Sequence, residues 1–220
     1  PIKRTALGRF KHEGATVKLN SANRVVVYLG DDERFEYIYK FISTGTYDAA
    51  NRNANRDLLD NGILYVAKFN ADGTGAWLPL LHGQGGLDAA SGFADQAEVL
   101  IKTRQAADRV GATKMDRPEW VAVHPTTKEV YTTLTNNSQR GGTGRAPTDA
   151  MNPRASNVFG HIIRWREAGN DAAGLTFAWD IFVQCGDPAN ADANKKGNIK
   201  GDIFGSPDGL WFDPNGALWI

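Results

Sequence analysis

The chain has 220 residues, and its 25 Lys and Arg balance its 25 Asp and Glu. Zero net charge argues against a general polyanion binder, so neither nucleic acid nor a membrane surface is an expected partner. A hydrophobic content of 41% excludes a wholly disordered chain, and no run of ~18 apolar residues is present to span a membrane.

In chain order, the first expected strands are His12-Glu13-Gly14-Ala15-Thr16-Val17 and Val25-Val26-Val27-Tyr28, then a third from Phe35 to Ile42. Ile63 to Phe69 alternates, meets the turn Ala71-Asp72-Gly73-Thr74-Gly75, and resumes at Trp77, which is a hairpin signal. One helix is expected over 92–110, capped by Ser91 and ended by Gly111, because Phe93, Ala97, Leu100, Ile101 and Arg104 follow helical spacing. A strand pair follows, Arg117-Pro118-Glu119-Trp120-Val121-Ala122-Val123 and Val130-Tyr131. Gly160 to Trp165 and Thr176 to Phe182 form another pair, and Ser206-Pro207-Asp208-Gly209-Leu210-Trp211-Phe212 with Leu218-Trp219 the last. Polar stretches 136–157 and 187–200 read as long loops.

Three of these strands are led by an acid: Glu13, Glu119 and Asp208. In the last two copies a proline precedes the acid, and a Pro-containing turn joins two apolar strands. The acids recur 106 and 89 residues apart, roughly two lengths of a propeller blade of about 40–50 residues. The fold class expected is all-β, a partial β-propeller with one inserted helix, and residues 1–220 form part of a single such domain. The chain starts at Pro1 and stops in a strand pattern at Trp219-Ile220, so it is expected to be a piece of a longer protein.

Innermost propeller strands line the central channel, so Glu13, Glu119 and Asp208 would meet near the axis. Close carboxylates repel unless a cation neutralises them, and calcium or ferric ion accepts carboxylate oxygen. The alternative is that they accept hydrogen bonds from turn backbone. Arg117, two residues before Glu119, is either a clamp for phosphate or carboxylate or a surface partner of Asp116 or Asp108. Asp31-Asp32-Glu33 is either a source of one or two ligands or a solvated turn. Asn190 to Asn194 alternates acids and amides but lacks the glycine and glutamate of an EF-hand. The single cysteine, Cys185, excludes an intrachain disulfide, and the four histidines show no zinc-hydrolase spacing.

The strings Gly8-Arg9-Phe10-Lys11-His12-Glu13, Gly30 to Phe41, Met115-Asp116-Arg117-Pro118-Glu119, Asn152-Pro153-Arg154, Asn157, Gly160 to Trp165 and Ser206-Pro207-Asp208 resemble, in order, segments of PhoX-type alkaline phosphatases. The resemblance implies a six-bladed propeller, exported to the periplasm, that hydrolyses small-molecule phosphate monoesters with a cluster of calcium and ferric ions. It implies that Glu13 and Glu119 ligate metal and that Arg117 binds the substrate phosphate. Asp32, in the matching acidic turn, is the choice for calcium, and Asp208 is assigned from the internal repeat. The family's iron-ligating cysteine lies upstream of the His-Glu motif, so Cys185 does not take that role. A monomer is expected. The competing readings are a calcium-dependent propeller hydrolase such as a lactonase, and a non-catalytic propeller stabilised by calcium.

Overall fold

A computed structural model describes residues 2–220. Its first unit is an antiparallel meander of four strands: β1 (His12–Leu19), β2 (Arg24–Asp31), β3 (Ile38–Thr46) and β4 (Gly62–Phe69). A tight turn adds β5 (Thr74–Pro79), with Phe69 opposite Gly75. Two helices, α1 (Gln96–Ile101) and α2 (Thr103–Val110), lead into a second meander: β6 (Pro118–Val123), β7 (Val130–Leu134), β8 (His161–Glu167) and β9 (Thr176–Gln184). A short hairpin, β10 (Trp211–Phe212) and β11 (Leu218–Trp219), completes the described chain. The strand order is β1-β2-β3-β4-β5-β9-β8-β7-β6, so two four-stranded blades join at their outer edges through the β5–β9 pair. This is a propeller-like, mostly β architecture. Among the described residues no helix is long and apolar enough to cross a membrane.

β2 reads Val-Val-Val-Tyr-Leu without alternation because both of its faces are covered. One face, with Val27, Leu29, Tyr39 and Phe41, packs against Val99, Ala106 and Ala107 of the helices. The other, with Val26, Tyr28 and Ile42, packs against Val121, Ile163 and Trp165 of the second blade. Leu210, with Phe212 packed alongside, continues the layering from Ala122, Tyr131 and Ile162.

The inner strands sit close at two glycines. A Cβ on Gly30 would collide with the carbonyl oxygen of Glu119, and one on Gly14 would lie 3.0 Å from Trp120 Cα. Bare backbone at both positions lets β6 seat against β1 and β2.

Three expectations are corrected. The repeat spans one blade rather than two: Glu13 lies on β1, Glu119 on the next inner strand β6, and Asp208 just before β10. The extra length is taken up by β5, the helices and the loops around 135–160 and 185–210. The single helix is two. Leu100 O accepts from Arg9 N at 2.9 Å and from Thr103 Oγ1, which diverts the backbone at Lys102 (φ −97°, ψ 36°). Its cap is Asp95, accepting from Glu98 N at 2.9 Å, while Ser91 lies in a separate 3-10 turn. The third strand begins at Ile38, since Phe35 turns through φ 68°.

Candidate metal and phosphate site

Glu13, Glu119 and Asp208 converge. One carboxylate oxygen from each lies within 4.8 Å of the other two. Glu119 is buried, and Glu13 and Asp208 are exposed. The convergence follows from the repeat, because each acid occupies the entry to a successive inner strand.

The backbone before two of the acids is alike. Arg117 has φ 57° and Ser206 φ 50°, and each precedes a proline. Left-handed backbone at a residue with a side chain is strained and must be held by its surroundings. Thr135 N donates to Arg117 O at 3.1 Å, and Ser206 N donates to Phe159 O at 2.7 Å. Thr133 ties the acids together: its hydroxyl accepts from Trp120 N at 3.1 Å and donates to Asp208 O at 2.7 Å. One side chain on β7 thus fixes both the residue after Glu119 and the backbone of Asp208. Sequence reasoning missed Thr133, since a threonine inside a strand carries no signal beyond strand propensity.

The acidic turn divides its three carboxylates. Asp31 is buried and meets Arg104 of α2 through two bonds of 2.8 and 2.6 Å. Glu33 pairs with Lys11. Asp32 faces the site, where its Oδ1 accepts from Nε and Nη2 of Arg117 at 3.0 and 2.8 Å. Nη2 of Arg117 also lies 3.4 Å from Glu119 Oε1. Arg117 therefore bridges two acids of the site and does not pair with Asp116 or Asp108. Asp208 joins Glu13 and Glu119 directly, whereas Asp32 joins through Arg117 and against Glu119.

Burial pushes the carboxyl of Glu119 up to about 8, with Asp32 and Asp208 adding to the rise and Arg117 opposing it. One guanidinium does not balance this group of acids. The donors are all hard oxygens, a set that fits calcium and also ferric ion. Cys185 is fully buried and burial pushes its thiol up to about 12, so it behaves as a packing residue.

Residues 1–220 match the family described as alkaline phosphatase PhoX. A solved structure, Pseudomonas fluorescens PhoX in complex with vanadate, a transition state analogue, is 54% identical and superimposes with a TM-score of 0.95. The match covers 100% of this chain and 40% of that one. No curated protein matches the chain.

Proposed function

The chain belongs to the alkaline phosphatase PhoX family, and from that premise we propose that it is part of a metal-dependent phosphatase hydrolysing phosphate monoesters. The observation that carries the reading is the convergence of Glu13, Glu119 and Asp208 beside Arg117. In this reading the three acids hold the metal, with Asp32 as a further ligand, and the ions are calcium and ferric iron. Such ions, when bound, neutralise phosphate oxygens and act as Lewis acids.

Arg117 holds the ester. Its Nε and Nη2 rest on Asp32, and Nη1 has no hydrogen bond among the described residues, which leaves it to a phosphate oxygen. Asp32 orients the guanidinium in the meantime. Phosphoryl transfer asks little covalent help of side chains. It asks that the phosphate be fixed and that the charge it retains be offset, which the planar guanidinium does when Asp32 holds one edge and Nη1 is turned to the ester.

The 220 residues make up part of a single propeller domain, a reading supported by their covering 40% of the solved relative. The protein acts as a monomer, exported to the periplasm, where small phosphate esters are its substrates. The test is an assay of the purified protein with p-nitrophenyl phosphate and with a γ-lactone, alongside calcium and iron analysis of the same sample. Turnover of the phosphate ester with both metals present is expected. Lactone turnover alone, or a protein with calcium and no turnover of either, overturns the reading.

A further inference from the structure

Behind Arg117 lies a buried polar assembly that neither the metal site nor the phosphate clamp uses directly. Asp116, the residue before Arg117, is fully buried. Its Oδ1 accepts from Arg140 Nε at 2.8 Å and its Oδ2 from Asn157 Nδ2 at 3.0 Å. Arg140 is 1% exposed, although it sits in the long polar loop that the sequence presents as solvated. Its other nitrogens donate to Lys114 O at 2.8 Å and Pro147 O at 3.2 Å. Its guanidinium carbon stands 5.1 Å from the centre of the Phe35 ring.

These contacts reach both strands of chain that carry the clamp. Phe35 belongs to the turn that begins with Asp32, and Phe35 N donates to Met115 O at 2.9 Å. Arg34 and Asp116 form an isolated β-bridge. Lys114 and Asp116 lie in the segment that ends in the left-handed Arg117. One guanidinium thus grips the 32–36 turn by its ring and the 114–116 segment by a carbonyl and a carboxylate. The Asp32–Arg117 pair forms where those two segments meet.

We propose that Arg140 is a positioning residue for the phosphate clamp, holding Asp116 so that the strained backbone at Arg117 aims its guanidinium at the site. The proposal rests on the clamp reading of Arg117 given above. Arginine suits the place because its fixed fork engages three acceptors at once, which an ammonium on a flexible stem does not reproduce. A buried charge pair also resists rearrangement, since breaking it strands the partner.

The test compares five proteins purified with their own metals: wild type, Arg117→Ala, Arg140→Lys, the double variant Asp116→Asn/Arg140→Gln, and that double variant with Arg117→Ala added. The double variant keeps hydrogen-bonding groups at both positions and removes both charges, so it supplies the reading if Arg140→Lys is poorly folded. Four quantities are read: metal content, melting temperature, inhibition by inorganic phosphate, and kcat with KM. A phosphate-induced rise in melting temperature reports binding independently of turnover. The expected result is a rise of at least fivefold in the phosphate inhibition constant and in KM for the Arg140 variants, with metal content unchanged. Adding Arg117→Ala to the double variant should then weaken phosphate binding by less than twofold more, because the two changes act through one interaction. A double variant that melts earlier but binds phosphate like the wild type makes Arg140 a purely structural residue and overturns the proposal. So do effects that multiply in full with Arg117→Ala. Wild-type phosphate binding in Arg117→Ala itself removes the clamp, and the Arg140 proposal falls with it. That outcome is distinct from a weakened Arg117→Ala beside silent Arg140 variants, which sinks the positioning role alone.

Discussion

Glu119 and Glu167 are buried to the same degree, each 4% exposed, yet their surroundings are opposite. Glu167, at the end of β8, is ringed by donors. Lys40 Nζ lies 3.1 Å from its Oε1, and Tyr28, Trp77 and Trp165 donate to it at 2.9 to 3.2 Å. Lys40 is itself completed by the carbonyls of Ala172 and Gly174 and stands 4.5 Å from the Trp77 ring centre. Lys40 and Tyr28 come from the first blade and Trp165 and Glu167 from the second, so the assembly staples the blades. Glu119 meets mostly acids, and its one cation is already engaged with Asp32. A buried carboxylate closed by protein donors belongs to the fold. One left among other acids, with a single shared guanidinium beside it, is the kind of carboxylate that a bound cation would complete.

The largest effect expected from this contrast is on stability at Glu167. Glu167→Gln strands the Lys40 ammonium in the interface and should lower unfolding free energy by about 3–5 kcal/mol, read by urea denaturation. Metal content should be that of the wild type. Loss of calcium or iron in this variant would erase the distinction between the two carboxylates. Replacing both partners together, as in Lys40→Met/Glu167→Leu, should recover much of the loss.

Glu119→Gln should behave in the reverse manner. It replaces a carboxyl whose charged form the metal-free protein disfavours, so that protein should keep or gain stability. Its affinity for calcium should fall by roughly a hundredfold, about 2.7 kcal/mol, in titration calorimetry. A variant that unfolds in the metal-free form and binds calcium normally would make Glu119 another structural carboxylate.

Arg117 lies between these cases, as a cation inside the acidic group. In the full-length protein, Arg117→Ala should lower phosphatase kcat/KM at least tenfold, about 1.4 kcal/mol, with little change in metal content because arginine is not a ligand. Arg117→Lys keeps the charge without the fork and should not restore full activity. Lost metal together with lost activity would instead make Arg117 a support for Glu119.

The acid-led strands were legible because proline, acid and alternation sit within a few residues of one another, a local signal. Such signals place Glu119 and Asp208 on equivalent positions without knowledge of the fold. Blade length was not legible, because the helices and loops inserted between inner strands hide the repeat. The break at Lys102 depends on Arg9, more than ninety residues earlier in the chain, reaching Leu100 O, and no window along the helix contains that contact. Lys40 and Glu167 look like solvent-facing residues of ordinary strands until the second blade closes over them. Arg140 and Thr133 were missed for the same reason, since their partners are brought by topology.

The smallest expected effect concerns His161, in the buried polar interior behind the clamp. Its Nε2–H donates to Met151 O at 2.9 Å, and its Nδ1 accepts from Asn157 Nδ2 at 3.1 Å. Asn157 spends its second amide hydrogen on Asp116 and its oxygen on Gly160 N, so it cannot turn to accept from a protonated Nδ1. Complete burial accordingly holds the imidazole down to about 4. A histidine whose folded value is depressed leaves the unfolded chain binding more protons between about pH 4 and 6.5, so stability falls as pH drops through that window. Between pH 6.5 and 5.5 the loss from this group should be about 1 kcal/mol. Glu36, pushed up to about 7 chiefly by burial, titrates in the same range with the opposite sign, because the folded state then holds the extra proton. The effect is therefore read as a difference: the stability of wild type minus that of His161→Gln, by urea denaturation at each pH. That difference should shrink by about 1 kcal/mol from pH 6.5 to 5.5 and stay constant above pH 7.5. A difference that does not move with pH would mean that His161 is protonated in the folded protein. Asn157 would then have to release either Asp116 or its present rotamer, and the assembly behind Arg117 would lose one of the contacts described above.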